Sequence, residues 1–235
     1  MKETFSKTEK SATAKSDHSQ TIRRTLFLLL GLLIMAYGVA LSIKAGLGTS
    51  PISSVPYVLS EITPLTVGNI TILMHCTFIL LQILLLRRRY RLLQLLQLPV
   101  AVIFGYMTDF AVWTLDPLVC GNYAVKWIFC LIGIVLVAAG VSFEVVANLV
   151  TLAGEGLVLA LCQVTPVKFS TMKVSVDTAL VIIACILSFL FLHGLYGVRE
   201  GTIAAAFLVG MISRQITPPL TRVAGKIFGE SPGKS

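Results

Sequence analysis

Read as a string of apolar and polar positions, the chain contains six apolar runs long enough, or nearly so, to cross a bilayer. They cover 25–44, 68–86, 92–113, 127–147, 170–192 and 201–216, the last being the weakest. About 20 helical residues at ~1.5 Å each cross a hydrocarbon core of ~30 Å. Two shorter apolar stretches, 51–61 and 153–163, each follow a Gly-containing or polar break and end near a Thr-Pro pair. At roughly eleven residues each is too short to span and is expected to form a re-entrant half-helix. Residues 1–21 are polar, rich in Ser, Thr and Lys, and carry no apolar period. They are expected to be disordered.

Composition agrees with lipid as the solvent. Apolar types make up 56% of the 235 residues, charged types only 13%, and mean hydropathy is +0.88. A soluble domain of this size has no way to hide that much apolar surface. The first run is too long for a signal-peptide core, and no small-residue cleavage site follows it. The formal charge of +8 does not point to nucleic acid, because the Lys and Arg gather at span ends and in the tails. The five cysteines have no CxxC spacing, so neither a metal site nor a disulfide is expected.

A shift of 102 residues lays the first half of the chain on the second. Phe27, Gly31 and Ala36 fall on Phe129, Gly133 and Ala138, and Gly38-Val39 falls on Gly140-Val141. Ala45, Leu47 and Thr49 fall on Ala147, Leu149 and Thr151, Leu59 on Leu161, and Thr63-Pro64 on Thr165-Pro166. With a gap of about three residues, Phe104-Gly105 then meets Val209-Gly210, and Asp109 meets Arg214. Helical Gly and Ala can match by chance, but the Thr-Pro pairs lie outside any span. The expected organisation is a tail (1–22), a first unit (23–115), an external loop (116–126), a second unit (127–220) and a tail (221–235).

Charge fixes how the units sit. Arg23-Arg24, the cluster 87–91, and Arg214, Arg222 and Lys226 are all cytoplasmic only if the short stretches do not cross. Each unit then has three spans and one half-helix. Three is odd, so the second unit is inverted relative to the first and both termini are inside. Such inverted repeats with broken helices carry substrate sites near the midplane.

Candidate binding residues follow from the breaks, where backbone polar groups are released at membrane depth. In the first, Gly46 and Gly48 permit the turn, Thr49 or Ser50 caps and Pro51 suits the first helical position. In the second, Asn148, Thr151 and Glu155 stand at matching places, without the Pro. Either break can also be a mere loop. His75 and Asp177 coincide under the shift, both near mid-span, and can relay a proton or simply bond between helices. Glu144 is a further candidate for ion or proton coupling. Glu155 can equally be a helix cap, Lys44 can snorkel to the interface, and Lys173 can pair with Asp177 four residues on.

The stretch 46–51, the following Gly68, and Gly201-Thr202 leading to Gly210 resemble the YczE/YyaS/YitT-type bacterial membrane proteins. The resemblance implies a multi-pass protein of the bacterial inner membrane and brings no settled activity. The expected function is permeation of a small polar solute by alternating access of the two units. The alternative is a non-catalytic binding or accessory subunit, and Ala36-xxx-Ala40 offers a small-residue face for docking. Expected partners are the lipid bilayer, a small-molecule solute, and a second copy or a partner membrane protein. No cofactor, nucleic acid or enzyme chemistry is expected.

Overall fold

A computed structural model describes residues 2–228, with side chains from Ser19 onward. Eight α-helices follow one another: α1 (Lys2–Ala45), α2 (Pro51–Ile62), α3 (Val67–Leu86), α4 (Gln97–Thr114), α5 (Tyr123–Ala147), α6 (Ala153–Val164), α7 (Phe169–Leu192) and α8 (Glu200–Phe228). Among the described residues there is no strand. Six stretches are long and apolar enough to cross a membrane: Ser19–Ala45, Val67–Arg89, Leu92–Thr114, Tyr123–Ala147, Phe169–Leu192 and Glu200–Phe228. The chain is a multi-pass α-helical membrane protein. At 12 residues each, α2 and α6 reach only about 18 Å.

Both ends of the helical array run further than the pattern predicts. Helical backbone continues from the first span back to Lys2, over the stretch expected to be disordered. No Gly or Pro stands between residues 2 and 30, so a helix nucleated by the span propagates outward at little cost. At the other end α8 continues past 216 and 220 to Phe228, through Pro218 and Pro219. Its end is held to α1: Arg23 donates to the Ile227 carbonyl at 2.7 Å, and Arg24 lies 5.0 Å over the Phe228 ring. The remainder of the expected tail lies outside the described residues.

The centre of the fold is the α1–α5 pair. Gly31 faces Gly140 and Gly38 faces Gly133, so the two helices run antiparallel. The backbones touch: a Cβ built on Gly140 would lie 2.6 Å from the Gly31 carbonyl oxygen, and one on Gly133 2.8 Å from that of Gly38. Between lipid-soluble helices, contact of this kind supplies the association that apolar surface alone does not. Phe27 stacks on Phe143 further along, with ring centroids 4.4 Å apart. Two of the remaining contacts cross over between the halves and two stay within them. α6 packs on α3 and α2 packs on α7, while α4 lies on α1 and α8 on α5.

The two breaks have the same backbone course. α1 ends on Gly46 in the left-handed region (φ +64), and α5 ends on Asn148 there (φ 47). Gly and Asn are the residues that take this helix-ending conformation at least cost. Four residues later Ser50 and Leu152 are extended, and α2 and α6 begin. Both short helices end at a Thr whose hydroxyl bonds back four residues, Thr63 to Leu59 at 2.8 Å and Thr165 to Leu161 at 2.7 Å. Pro64 and Pro166 then bar further helix.

Candidate functional site

Because α1 and α5 are antiparallel, Gly46 and Asn148 stand at opposite ends of the pair, about 30 Å apart at ~1.5 Å per residue. The two breaks themselves therefore do not adjoin one another. The extended segments after them lead inward instead, and the starts of α2 and α6 meet, with Ile52 in contact with Gly154.

The first break is satisfied by protein. Thr49 N–H donates to the Gly197 carbonyl at 3.1 Å, and Gly201 N–H donates to the Leu47 carbonyl at 2.8 Å. Arg199 donates to the Gly46 carbonyl at 3.2 Å. The hydroxyls of Thr49 and Thr202 both reach the Gly197 carbonyl at 3.4 Å. Gly48 (φ +97) lets its backbone lie against Thr202, which a side chain there would displace. Ser50 shares a hydroxyl bond with Ser53 at 3.0 Å. Beside this junction lies a cavity of about 250 Å³, lined by Ser42, Gly46, Thr49, Tyr57, Tyr196 and Arg199 among others. Lys44 does more than reach the interface: it pairs with Asp116 at 2.7 Å.

The second break is more polar. Glu144 is buried and accepts from Leu152 N–H at 2.7 Å, capping the approach to α6. Arg24 donates to the Ala147 carbonyl at 3.1 Å. Gln82, fully buried, donates to the Ala153 carbonyl and to Gln97 Oε1, both at 3.1 Å, while its own Oε1 has no partner. Gly156 is held small by these amides, since a Cβ would meet Gln97 Nε2 at 2.7 Å. Thr151 is half-buried in the break. The Glu155 side chain has no hydrogen bond to any described group, and it lies within electrostatic reach of Glu144, Lys173 and Asp177.

No hydrogen bond or ion pair joins His75 to Asp177. The His75 ring is enclosed between Phe78 and Phe104 at centroid distances of 6.1 and 6.2 Å, and its Nδ1 has no partner. Asp177 pairs with Lys173 at 2.8 Å. The structure thus groups Glu144, Glu155, Lys173 and Asp177 in the second half. Shifted back by 102, these become Ser42, Ser53, Thr71 and His75, none of them acidic. Asp109 accepts from Thr66 at 2.6 Å and from Gly68 N–H at 2.7 Å.

Gln82, Gln97, Tyr57, Tyr196 and Arg199 are site residues that sequence reasoning passed over. Gln82 carried a signal, as a fully polar amide inside an apolar run. Tyr57, Tyr196 and Arg199 carried none, because only the fold brings residues 194–202 to the first break.

These features define a class: a six-span helical membrane protein with two short helices meeting end to end. The chain belongs to the family of unknown function DUF6198, which matches residues 22–218. Over 114 residues it is 31% identical to the uncharacterized protein YyaS of Bacillus subtilis (strain 168), consistent with the YyaS-type resemblance. The match covers 48% of this chain and spans about half of that relative, 55% of its length. No solved structure matches.

Proposed function

We propose that the chain is a permease of the bacterial inner membrane, moving a small polar solute by alternating access of two inverted units, without chemical conversion. The two units are helices α1–α4 and α5–α8, related by a two-fold axis in the membrane plane, with α2 and α6 re-entrant and both termini cytoplasmic. One observation carries the reading: contacts exchange under the shift of 102. Gly31–Gly140 becomes Gly38–Gly133, α3–α6 becomes α2–α7, and Ile52–Gly154 maps onto itself. A symmetric seam of this kind gives two packings related by the axis, which is what alternating access needs.

In this reading the solute enters at the cavity beside Gly46, Gly48, Thr49 and Ser50. It passes the meeting point of α2 and α6 and leaves past Asn148, Thr151 and Glu155. Glu144, Asp177 and His75 exchange the coupling proton or ion. The test is a solute screen by thermal shift in detergent, followed by uptake into liposomes. Asp177→Asn should abolish uptake of the solute found while leaving folded protein. Full uptake in both His75→Ala and Asp177→Asn would remove these two residues from the mechanism.

The sparse packing of α7 and α8 favours a second reading, a subunit acting on a partner membrane protein. A permease works alone in liposomes, whereas a subunit needs its partner.

A further inference from the structure

The connector between α3 and α4 reads Arg87-Arg88-Arg89-Tyr90-Arg91, four arginines in five residues, and no acidic residue stands between Glu61 and Asp109. α3 ends at Arg87, whose positive φ (45) turns the chain out of the helix. One 3-10 turn (Arg87–Arg89), an extended pair (Tyr90 and Arg91) and a second 3-10 turn (Leu92–Leu96) then lead to α4. The apolar spans on either side stop at Arg89 and restart at Leu92. The connector therefore lies where hydrocarbon gives way to headgroups.

Two connectors at matching places are held in different ways. Residues 194–199, which match 92–97 under the shift, are bonded to the first break through Gly197 and Arg199. The hydrogen bonds of 87–96 run only within the segment or to the adjoining ends of α3 and α4. Among the described residues, none of the four guanidinium groups has a hydrogen bond or an ion pair, and all four side chains are exposed. Apolar surface flanks them on both sides: Leu84 is 69% exposed, Leu92 81% and Leu93 73%.

A guanidinium is matched best by the fork of a phosphate or carboxylate. Four uncompensated charges in a row call for a net negative occupant, and a headgroup that carries its own ammonium leaves them unbalanced. The leucines at the same level call for acyl chains as well. We infer that the α3–α4 connector is a docking surface for anionic phospholipid of the adjoining leaflet. Its phosphates lie on Arg87, Arg88, Arg89 and Arg91, and its chains lie against Leu84, Leu92 and Leu93. Each arginine close to an anionic lipid surface strengthens association about fivefold. The inference does not rest on the permease reading, so its test reads binding alone.

The test is thermal unfolding of the full chain in an uncharged detergent with added lipids of matched acyl chains. Phosphatidylglycerol should raise the melting temperature by several degrees over phosphatidylcholine, since an occupant of the native fold stabilises it by mass action. In about 1 M NaCl, where charges are screened beyond about 3 Å, the difference should vanish without any substitution. Arg88→Gln, Arg89→Gln and Arg91→Gln together should weaken the phosphatidylglycerol response about a hundredfold in lipid concentration. All three side chains are exposed, so that variant folds. Leu92→Ser with Leu93→Ser should weaken the response while leaving the charges in place. Glycerol 3-phosphate, which has no chains, should give no shift. Equal shifts with the two lipids, or an undiminished preference in high salt or in either variant, would overturn the inference. A shift with glycerol 3-phosphate alone would assign the cluster to a free phosphate, and an equal shift with polyglutamate would assign it to an acidic protein. Either result would overturn the phospholipid. Loss of solute uptake with the lipid response intact would count against the permease reading only.

Discussion

The first four helices and the last four share a backbone plan but not a degree of closure. Their helices stop, turn and restart at corresponding residues: Gly46 and Asn148, Ser50 and Leu152, Thr63 and Thr165. Yet within an apolar 18-residue stretch of each span, 39% and 33% of the residues are buried in α3 and α4, against 17% and 6% in α7 and α8. The chemistry differs in the same sense. The closed half holds Ser42, Ser53, Thr71 and His75 where the open half holds Glu144, Glu155, Lys173 and Asp177. Matching helix ends therefore do not impose matching packing. What closes a seam is a small residue on each helix plus a polar clasp, and only the first half has both.

The central pair gives the sharpest test. Gly140→Leu drives a side chain into the Gly31 backbone, where neither helix can yield. Folded protein after detergent extraction should be nearly absent by size-exclusion chromatography. A normal yield would show that the α1–α5 contact is not the centre of the fold.

The two halves are compared directly by Gly105→Leu and Gly210→Leu. The first must displace Ile72 or the Gly68 backbone and should cost about 1–3 kcal/mol, as overpacking does. The second enters open space and should change stability by no more than about 0.5 kcal/mol. Equal melting temperatures for the two variants would erase the distinction between a closed and an open seam.

The two caps form a similar pair. Glu144→Ala leaves the buried Leu152 N–H without its acceptor and should cost about 1–3 kcal/mol. At the matching place Ser42 bonds only to the Gly38 carbonyl of its own helix, already part of the helical ladder. Ser42→Ala should then cost under about 1 kcal/mol. Unfolding in detergent measures both, and the reverse order would mean that Glu144 does not hold the second break.

Topology can be sharpened with almost no change in stability. In cells, an impermeant thiol reagent should label Cys120, between α4 and α5, and should not label a Cys placed at Arg89. Labelling at 89 would put the arginine cluster outside and rule out the proposed inverted arrangement.

The sequence by itself determined the solvent, the number and positions of the spans and the two breaks between them. Each of these is local. An apolar run declares its solvent, and a Gly, Asn or Thr-Pro ends a helix wherever the chain then goes. Even the seam was half legible, since Gly31, Gly38, Gly133 and Gly140 already matched in register. The tertiary structure alone decided which helices touch. It set Tyr196, Gly197 and Arg199 against the first break, enclosed Gln82 and Gln97 beneath α6, and left His75 and Asp177 without a bond between them. It also left α7 and α8 open. The physical reason is that lipid-facing and helix-facing apolar surfaces are written in the same residues, so hydropathy places a span in the membrane without choosing its neighbour.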